Sequence, residues 1–176
     1  FFAYAKTQPW FRHTLFVLTA DHTNQLTHPE YTNAKGIFEV PIAFYQAGMQ
    51  GDERAQAAVS QIDIMPSVLA YLGYDMPYFA FGEDVLTQPK THPYAVCYNH
   101  PIYQILSDSL LVQFDGQQIT AVYNYQKDRL LQRNIVDEAS ETGEVRAMES
   151  YLKAYIQQYI SRMIGNRLTC VGEVVD

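Results

Sequence analysis

The sequence has no run of basic residues, no long apolar stretch and only two cysteines. Each scarcity excludes something. Twelve Lys and Arg stand against nineteen Asp and Glu, for a net charge of -7. Without a cationic stripe to neutralise a phosphate backbone, no nucleic-acid partner is expected. A helical membrane span needs roughly 20 consecutive apolar residues, and the longest runs here fall well short. Cys97 and Cys170 lie far apart and form no C-x-x-C metal motif, which leaves two readings open, unrelated thiols or one disulfide. Repeats and low-complexity tracts are also missing. The chain begins Phe1-Phe2-Ala3-Tyr4, without Met or a signal peptide, and the expectation is a portion of a longer gene product.

What is present is apolar and aromatic. Apolar residues make up 48% and aromatics 14%, with 14 Tyr and 9 Phe, enough for a true core and for half-buried strands. Residues 1–9 read as the end of a helix closed by Pro9. Thr14 to Ala20 is a continuous apolar run, which reads as a strand buried on both faces, as in a parallel sheet. Asp21-His22 follows it at once. Residues 23–36 are polar and read as a long loop, and Val40–Tyr45 as a second strand with Pro41 near its start.

Ile62 to Leu72 has a helical stripe of Ile62, Met65, Val68, Leu69 and Leu72, with Asp63 as a cap and Gly73 as a stop. Residues 74–93 are punctuated by Pro and Gly. The texture then changes. Tyr94–Tyr98, Ile102–Leu106, Leu110–Phe114 and Ile119–Tyr125 read as four short strands, and Asp115-Gly116 is a hairpin turn signal. A last helix is predicted from about Glu144 to Ile164, its stripe of Val145, Met148, Leu152, Tyr155, Ile156, Tyr159 and Met163 read as plain core packing. The order predicts part of a parallel α/β layer, then an antiparallel sheet with a covering helix.

Asp21-His22 carries the chemistry. At the C-terminal end of a strand in an α/β sheet, side chains face the edge where ligands bind. A carboxylate and an imidazole are both good ligands for a divalent metal, and adjacent residues can share one ion where the chain leaves the sheet. His28, in the following loop, is placed to touch a substrate oxygen. Thr23 and Asn24 are placed to bond the substrate or to orient His22. His13 lies at the wrong end of the strand. His92 and His100 read as structural or exposed, and Glu83-Asp84 as a solvated loop more readily than as an acidic ligand set.

The segment Thr14-Leu15-Phe16-Val17-Leu18-Thr19-Ala20-Asp21-His22-Thr23 resembles the metal-binding strand end of the alkaline phosphatase/sulfatase superfamily. Gly36 to Tyr45 is similar to that family's next strand. Gln61-Ile62-Asp63-Ile64-Met65-Pro66-Ser67-Val68-Leu69 resembles its D-x-x-P-T/S helix start, and Tyr71–Tyr74 and Phe81–Leu86 also fit. The motifs fall in order across residues 10–86. The resemblance implies an alkaline phosphatase-like α/β portion over 1–90 and an antiparallel β subdomain with a C-terminal helix over 91–176.

Within the superfamily the likeness is to the lipoteichoic acid synthase-like sulfatase group. It implies one divalent metal (Mn, Zn, Ca or Mg, with Mn slightly favoured), because Ala57–Gln61 carries no His where two-zinc members have one. Asp21 and His22 match ligand positions, while no residue matches the family's nucleophile or first acidic ligand. In that family the metal activates the nucleophile and neutralises charge on the transferred group in a two-step displacement. The implied substrate is a phosphate or sulfate ester. The implied setting is extracytoplasmic, with membrane attachment only through an upstream anchor. The fragment is expected to be inactive alone. Two alternatives stand beside this reading: a non-catalytic binding module on the same skeleton, and an independently folding unit with a vestigial site.

Overall fold

The computed structural model describes residues 1–23, 27–49 and 58–170. It divides into two compact units, Phe1–Arg54 and Ala55–Asp176, a division that falls inside the span 1–90 read as one portion from the sequence.

The first unit opens with a one-turn helix, α1 (Phe2–Ala5), and a short 3-10 turn at Phe11–His13. Strands β1 (Phe16–Thr19) and β2 (Ile42–Tyr45) follow, with 3-10 turns at Pro29–Tyr31 and Gly36–Phe38 between them. Four aromatic rings hold this unit together. Phe16 lies 5.2 Å from Phe2 and 5.5 Å from Phe11, and Tyr45 lies 5.7 Å from Phe2. Tilted and edge-on arrangements at these separations are the favourable ones for rings.

The apolar run ending at Ala20 does form the expected strand, but its surroundings differ from the expectation. β1 pairs antiparallel with β2, Phe16 opposite Tyr45 and Thr19 opposite Ile42. Leu18 is 44% exposed rather than buried on both faces. A continuous apolar run reports the chemistry of two faces and says nothing of strand direction. Direction depends on contacts between segments distant in sequence, which no local pattern encodes.

The second unit contains α2 (Ile64–Tyr71), preceded by a 3-10 turn at Gln61–Asp63. It also holds a four-stranded antiparallel sheet in sequential order: β3 (Ala95–Asn99), β4 (Ile102–Leu106), β5 (Leu110–Phe114) and β6 (Ile119–Asn124). A short helix α3 (Val136–Ala139) leads into α4 (Gly143–Ile164). These are the mixed α/β elements and the sheet-then-helix order read from the sequence. The β5–β6 turn forms as Asp115-Gly116 indicated: Gly116 takes φ +100°, and the Asp115 carboxylate accepts the N–H groups of Gln117 and Gln118 at 2.8 Å.

The core of this unit lies between one face of the sheet and the first half of α4. Ile105, Val112, Phe114 and Val122 meet Val145, Met148 and Leu152, all buried. Each such side chain contributes about 1.5–3 kcal/mol by leaving water. The stripe read on α4 is therefore core only at its N-terminal end. Tyr159 and Met163, further along, are 45% and 49% exposed.

The stripe read on α2 is only partly covered, with Val68 and Leu69 half-buried. Ile62, Met65 and Leu72 are exposed, whereas Asp63, Pro66 and Ser67 are buried. Hydrogen bonding chooses the face. The Asp63 carboxylate accepts the N–H of Ser60 and of Glu83, both at 2.8 Å, and the Lys90 ammonium at 3.0 Å. Ser67 Oγ accepts the Val85 N–H at 3.0 Å and donates to the Asp63 carbonyl at 2.6 Å. Lys90 Nζ also donates to the carbonyls of Ala58 at 3.2 Å and Tyr94 at 2.8 Å, so each of its three protons has an acceptor. The 82–90 segment is thereby pinned to the start of α2. It comes so close that a Cβ on Gly82 would lie 2.1 Å from the Ile62 carbonyl oxygen.

Candidate metal centre

Asp21 and His22 leave β1 into an exposed bend, with 84% and 65% of their side-chain surfaces accessible. The two side chains converge. His22 Nε2 lies 3.4 Å from Asp21 Oδ2, while Asp21 Oδ1 accepts the His22 backbone N–H at 2.9 Å. His22 Nδ1 lies 3.0 Å from the Thr23 carbonyl oxygen. A carbonyl can only accept, so a neutral His22 ring bonded there would carry its proton on Nδ1 and offer the Nε2 lone pair towards the carboxylate. Two acceptors so placed repel unless a proton or a cation lies between them.

The spacing fits a cation. Metal–N and metal–O bonds of about 2.1 Å at a tetrahedral angle separate two donors by roughly 3.4 Å. The donor set, one carboxylate oxygen and one imidazole nitrogen, suits Zn²⁺ or Mn²⁺.

The surrounding turn orients this pair. Thr23 Oγ1 donates to the Ile37 carbonyl at 3.0 Å. Ile37 belongs to the Gly36–Phe38 turn, which Asn33 braces by accepting the Gly36 N–H at 2.9 Å and the Lys35 N–H at 3.1 Å. A Cβ at Gly36 would stand 1.8 Å from the Glu30 carbonyl oxygen, so that position admits only glycine. A chain of contacts thus runs from Gly36 through Ile37 and Thr23 to the His22 ring. It is the arrangement in which a ligand's second nitrogen is held so that the first points outward.

The other residues read from the sequence fare differently. The Thr23 hydroxyl is committed to Ile37, and its carbonyl, not its side chain, holds His22. Asn24 lies outside the described residues. His28 is exposed at the start of the Pro29–Tyr31 turn, edge-on to Tyr31 at 6.3 Å. His13 is exposed. Among the described residues no group of three or more His, Cys, Asp or Glu side chains gathers around a possible ion.

Glu83 and Asp84 are not a solvated loop. Asp84 is 7% exposed and accepts the N–H groups of Leu86 at 2.9 Å and Thr87 at 3.1 Å, together with the Thr87 hydroxyl. Glu83 accepts the Thr91 N–H at 2.7 Å, and the His92 N–H and Nδ1 at 3.1 and 2.9 Å. Burial raises the Glu83 pKa, but the bonds from Thr91 and His92 together with the His92 charge outweigh it, and the carboxyl ends below the usual range. His92 also stacks on Tyr151 at 5.1 Å, and His100 sits edge-on to Tyr98. These contacts stabilise loops. Cys97 and Cys170 are both free thiols, which removes the disulfide reading. Burial pushes the Cys97 thiol up to about 11.

Sequence reasoning missed a cleft of about 440 Å³ in the second unit, lined by Tyr98 and Tyr103 of the sheet and by Tyr155 and Tyr159 of α4. Its signal was present as the Tyr155–Tyr159 spacing, which was absorbed into the core stripe.

The sulfatase family model matches residues 1–74. No curated protein matches the chain by sequence. Among solved structures, a 2-O GAG sulfatase aligns with TM-score 0.64 at 17% identity, over 91% of this chain and 40% of its own. A protein solved with its substrate D-glucosamine-2-N,6-O-disulfate aligns with TM-score 0.64 at 15% identity, over 90% of this chain and 37% of its own. A phosphonate monoester hydrolase from Silicibacter pomeroyi gives TM-score 0.62 at 15% identity, over 92% of this chain and 37% of its own. The chain therefore spans about two-fifths of the length of these structures. Residues 1–74 carry sulfatase-family sequence, and the fold of the chain is that of the alkaline phosphatase/sulfatase superfamily.

Proposed function

We propose that this chain is the part of a metal-dependent sulfate or phosphate ester enzyme that supplies two metal ligands, Asp21 and His22. The observation that carries the reading is the pairing of His22 Nε2 with Asp21 Oδ2 at 3.4 Å while Nδ1 is tied to the Thr23 carbonyl. A divalent cation there would neutralise charge on the transferred ester group and lower the pKa of a nucleophile. Sulfatase-family members generally bind such a metal. The carboxylate brings one negative charge and the locked imidazole a neutral donor, so the pair attracts a cation without saturating it. The exposed face of the bend leaves room for further ligands and for an ester oxygen.

Because the chain spans only about two-fifths of the similar structures, we assign the nucleophile and the first acidic ligand to residues outside this sequence. Two protein ligands hold a metal weakly, so the chain alone is expected to be inactive. The lipoteichoic acid synthase-like affinity, a single ion with Mn²⁺ favoured, an extracytoplasmic location and an upstream membrane anchor belong to the same reading. Its support is the 14–23 segment and the lack of His in 57–61. His28 and Asn24 are the residues we assign to substrate contact.

The test is a Mn²⁺ titration of the chain followed by NMR of the imidazole nitrogens of its five histidines. Paramagnetic broadening is expected at His22 Nε2 first, and Asp21→Asn or His22→Ala should abolish the preference. Equal broadening of all histidines, or broadening indifferent to Asp21→Asn, would count against metal binding here and favour a non-catalytic module.

A further inference from the structure

The second unit carries a cleft unconnected with the metal reading. Its floor is β3 and the start of β4, with Val96, Cys97, Tyr98 and Tyr103, and its wall is the second half of α4, with Tyr155, Ile156, Tyr159 and Ile160. We propose that this cleft binds the ring of a neutral saccharide.

Three features of the lining select that ligand. First, it is amphipathic on the scale of a single ring. Four tyrosines line it, with Tyr98 and Tyr159 49% and 45% exposed, together with the aliphatic Val96, Ile156 and Ile160. Tyr98 and Tyr103 lie 4.7 Å apart at 40°, an angled platform rather than a closed stack. Second, among the described residues the hydroxyls of Tyr98, Tyr103, Tyr155 and Tyr159 take no hydrogen-bond partner. A hydrocarbon occupant would strip water from these phenols and give nothing back, at a cost for each group left unsatisfied. A pyranose has an apolar C–H face to lay on a ring and hydroxyls at its edge to meet the phenols. Third, no charged side chain lines the cleft. The nearest cations on α4 are engaged elsewhere, Lys153 over the Phe114 ring and Arg162 over the Phe79 ring. An anionic group would find no counter-charge. Burial raises the Tyr155 phenol pKa, which keeps it a neutral donor and acceptor. The volume of about 440 Å³ lies within the range of small-ligand sites and accommodates one or two sugar rings.

This inference does not rest on the metal reading, and its test is run in EDTA so that the two can fail separately. The intact chain, labelled with ¹³C in its tyrosine rings, is titrated with cellobiose, N,N′-diacetylchitobiose, lactose and maltose. At least one should shift the Tyr98 and Tyr159 signals saturably, with a millimolar dissociation constant. Tyr159→Ala and Tyr98→Ala should each weaken that binding by about fivefold or more, by removing a stacking face. Tyr159→Phe, which keeps the face and loses the hydroxyl, should weaken it by about two- to fivefold. D-Glucosamine-2-N,6-O-disulfate should bind no more tightly than the neutral sugars. If one alanine variant loses its circular dichroism, the other and the parent titration still decide.

The proposal is overturned if none of the four sugars moves these signals, or if the shifts survive both alanine substitutions. It is also overturned if the signals move with protein concentration alone, which would assign the face to a second copy of the chain.

Discussion

Removing the Lys90 ammonium tests whether the start of α2 is held by charge. Lys90 Nζ and Asp63 Oδ2 are 3.0 Å apart with only 5% and 2% of their side chains exposed. Lys90→Met keeps most of the stem's volume. It deletes three hydrogen bonds and leaves the Asp63 carboxylate buried, still accepting from Ser60 and Glu83 but without a counter-charge. Breaking one side of such a pair costs about 3–5 kcal/mol, most of it the penalty for the stranded partner. Asp63→Asn should cost a similar amount from the other side, because the amide N–H₂ must face either the Glu83 N–H or both the Ser60 N–H and the ammonium. The double variant should then cost well under the sum, since neither charge remains to be stranded. The assay is urea unfolding followed by circular dichroism at 222 nm, where the 22 residues of α4 dominate. Both single variants should lower the midpoint with little change in slope. A loss below about 1 kcal/mol for Lys90→Met, or strict additivity in the double variant, would refute the reasoning by showing that water or a rearranged loop replaces the ammonium.

Two further outcomes follow from the contacts. Gly36→Ala should displace the Gly36–Phe38 turn, because its Cβ would stand 1.8 Å from the Glu30 carbonyl oxygen. It is expected to destabilise the first unit by about 1–3 kcal/mol and to weaken the His22 preference in the Mn²⁺ titration, while Gly143→Ala, where nothing lies within 4 Å, should do neither. Glu83 has a lowered pKa in the folded chain, so the folded state binds fewer protons than the unfolded one in that window. Its contribution is therefore fully present above the unfolded carboxyl pKa and is lost as pH falls through the lower folded value. Urea midpoints measured from neutral pH into acid should fall less steeply for Glu83→Gln than for the parent. An unchanged slope would show that Glu83 is not the group responsible.

The proposed metal site and the sheet could be read from the sequence for different reasons. Asp21-His22 stood out because it follows a strand whose composition is local and unambiguous, and because the two side chains are adjacent in sequence. What orients the pair was not legible, since Thr23 meets Ile37 and Gly36 meets Glu30 only once the intervening loop has closed. Thr23 was read as a substrate or orienting side chain, and its orienting contact is made by its backbone carbonyl.

The sequence by itself determined the four strands of the antiparallel sheet, the Asp115-Gly116 turn and the extent of α4, each to within a residue or two. These depend on period-two and period-3.6 patterns and on turn chemistry within a few residues. Tertiary structure alone decided strand direction, the buried face of α2 and the use of the α4 stripe. β1 runs antiparallel to β2 because of a loop closure, which local hydrophobicity does not encode. Asp63 and Ser67, not Ile62 and Met65, face inward because Glu83, Val85 and Lys90 arrive from some twenty residues away with donors that must be satisfied. α4 is uniformly amphipathic, but the sheet covers only its first half. The same periodic tyrosines that would have been core are left to line a cleft.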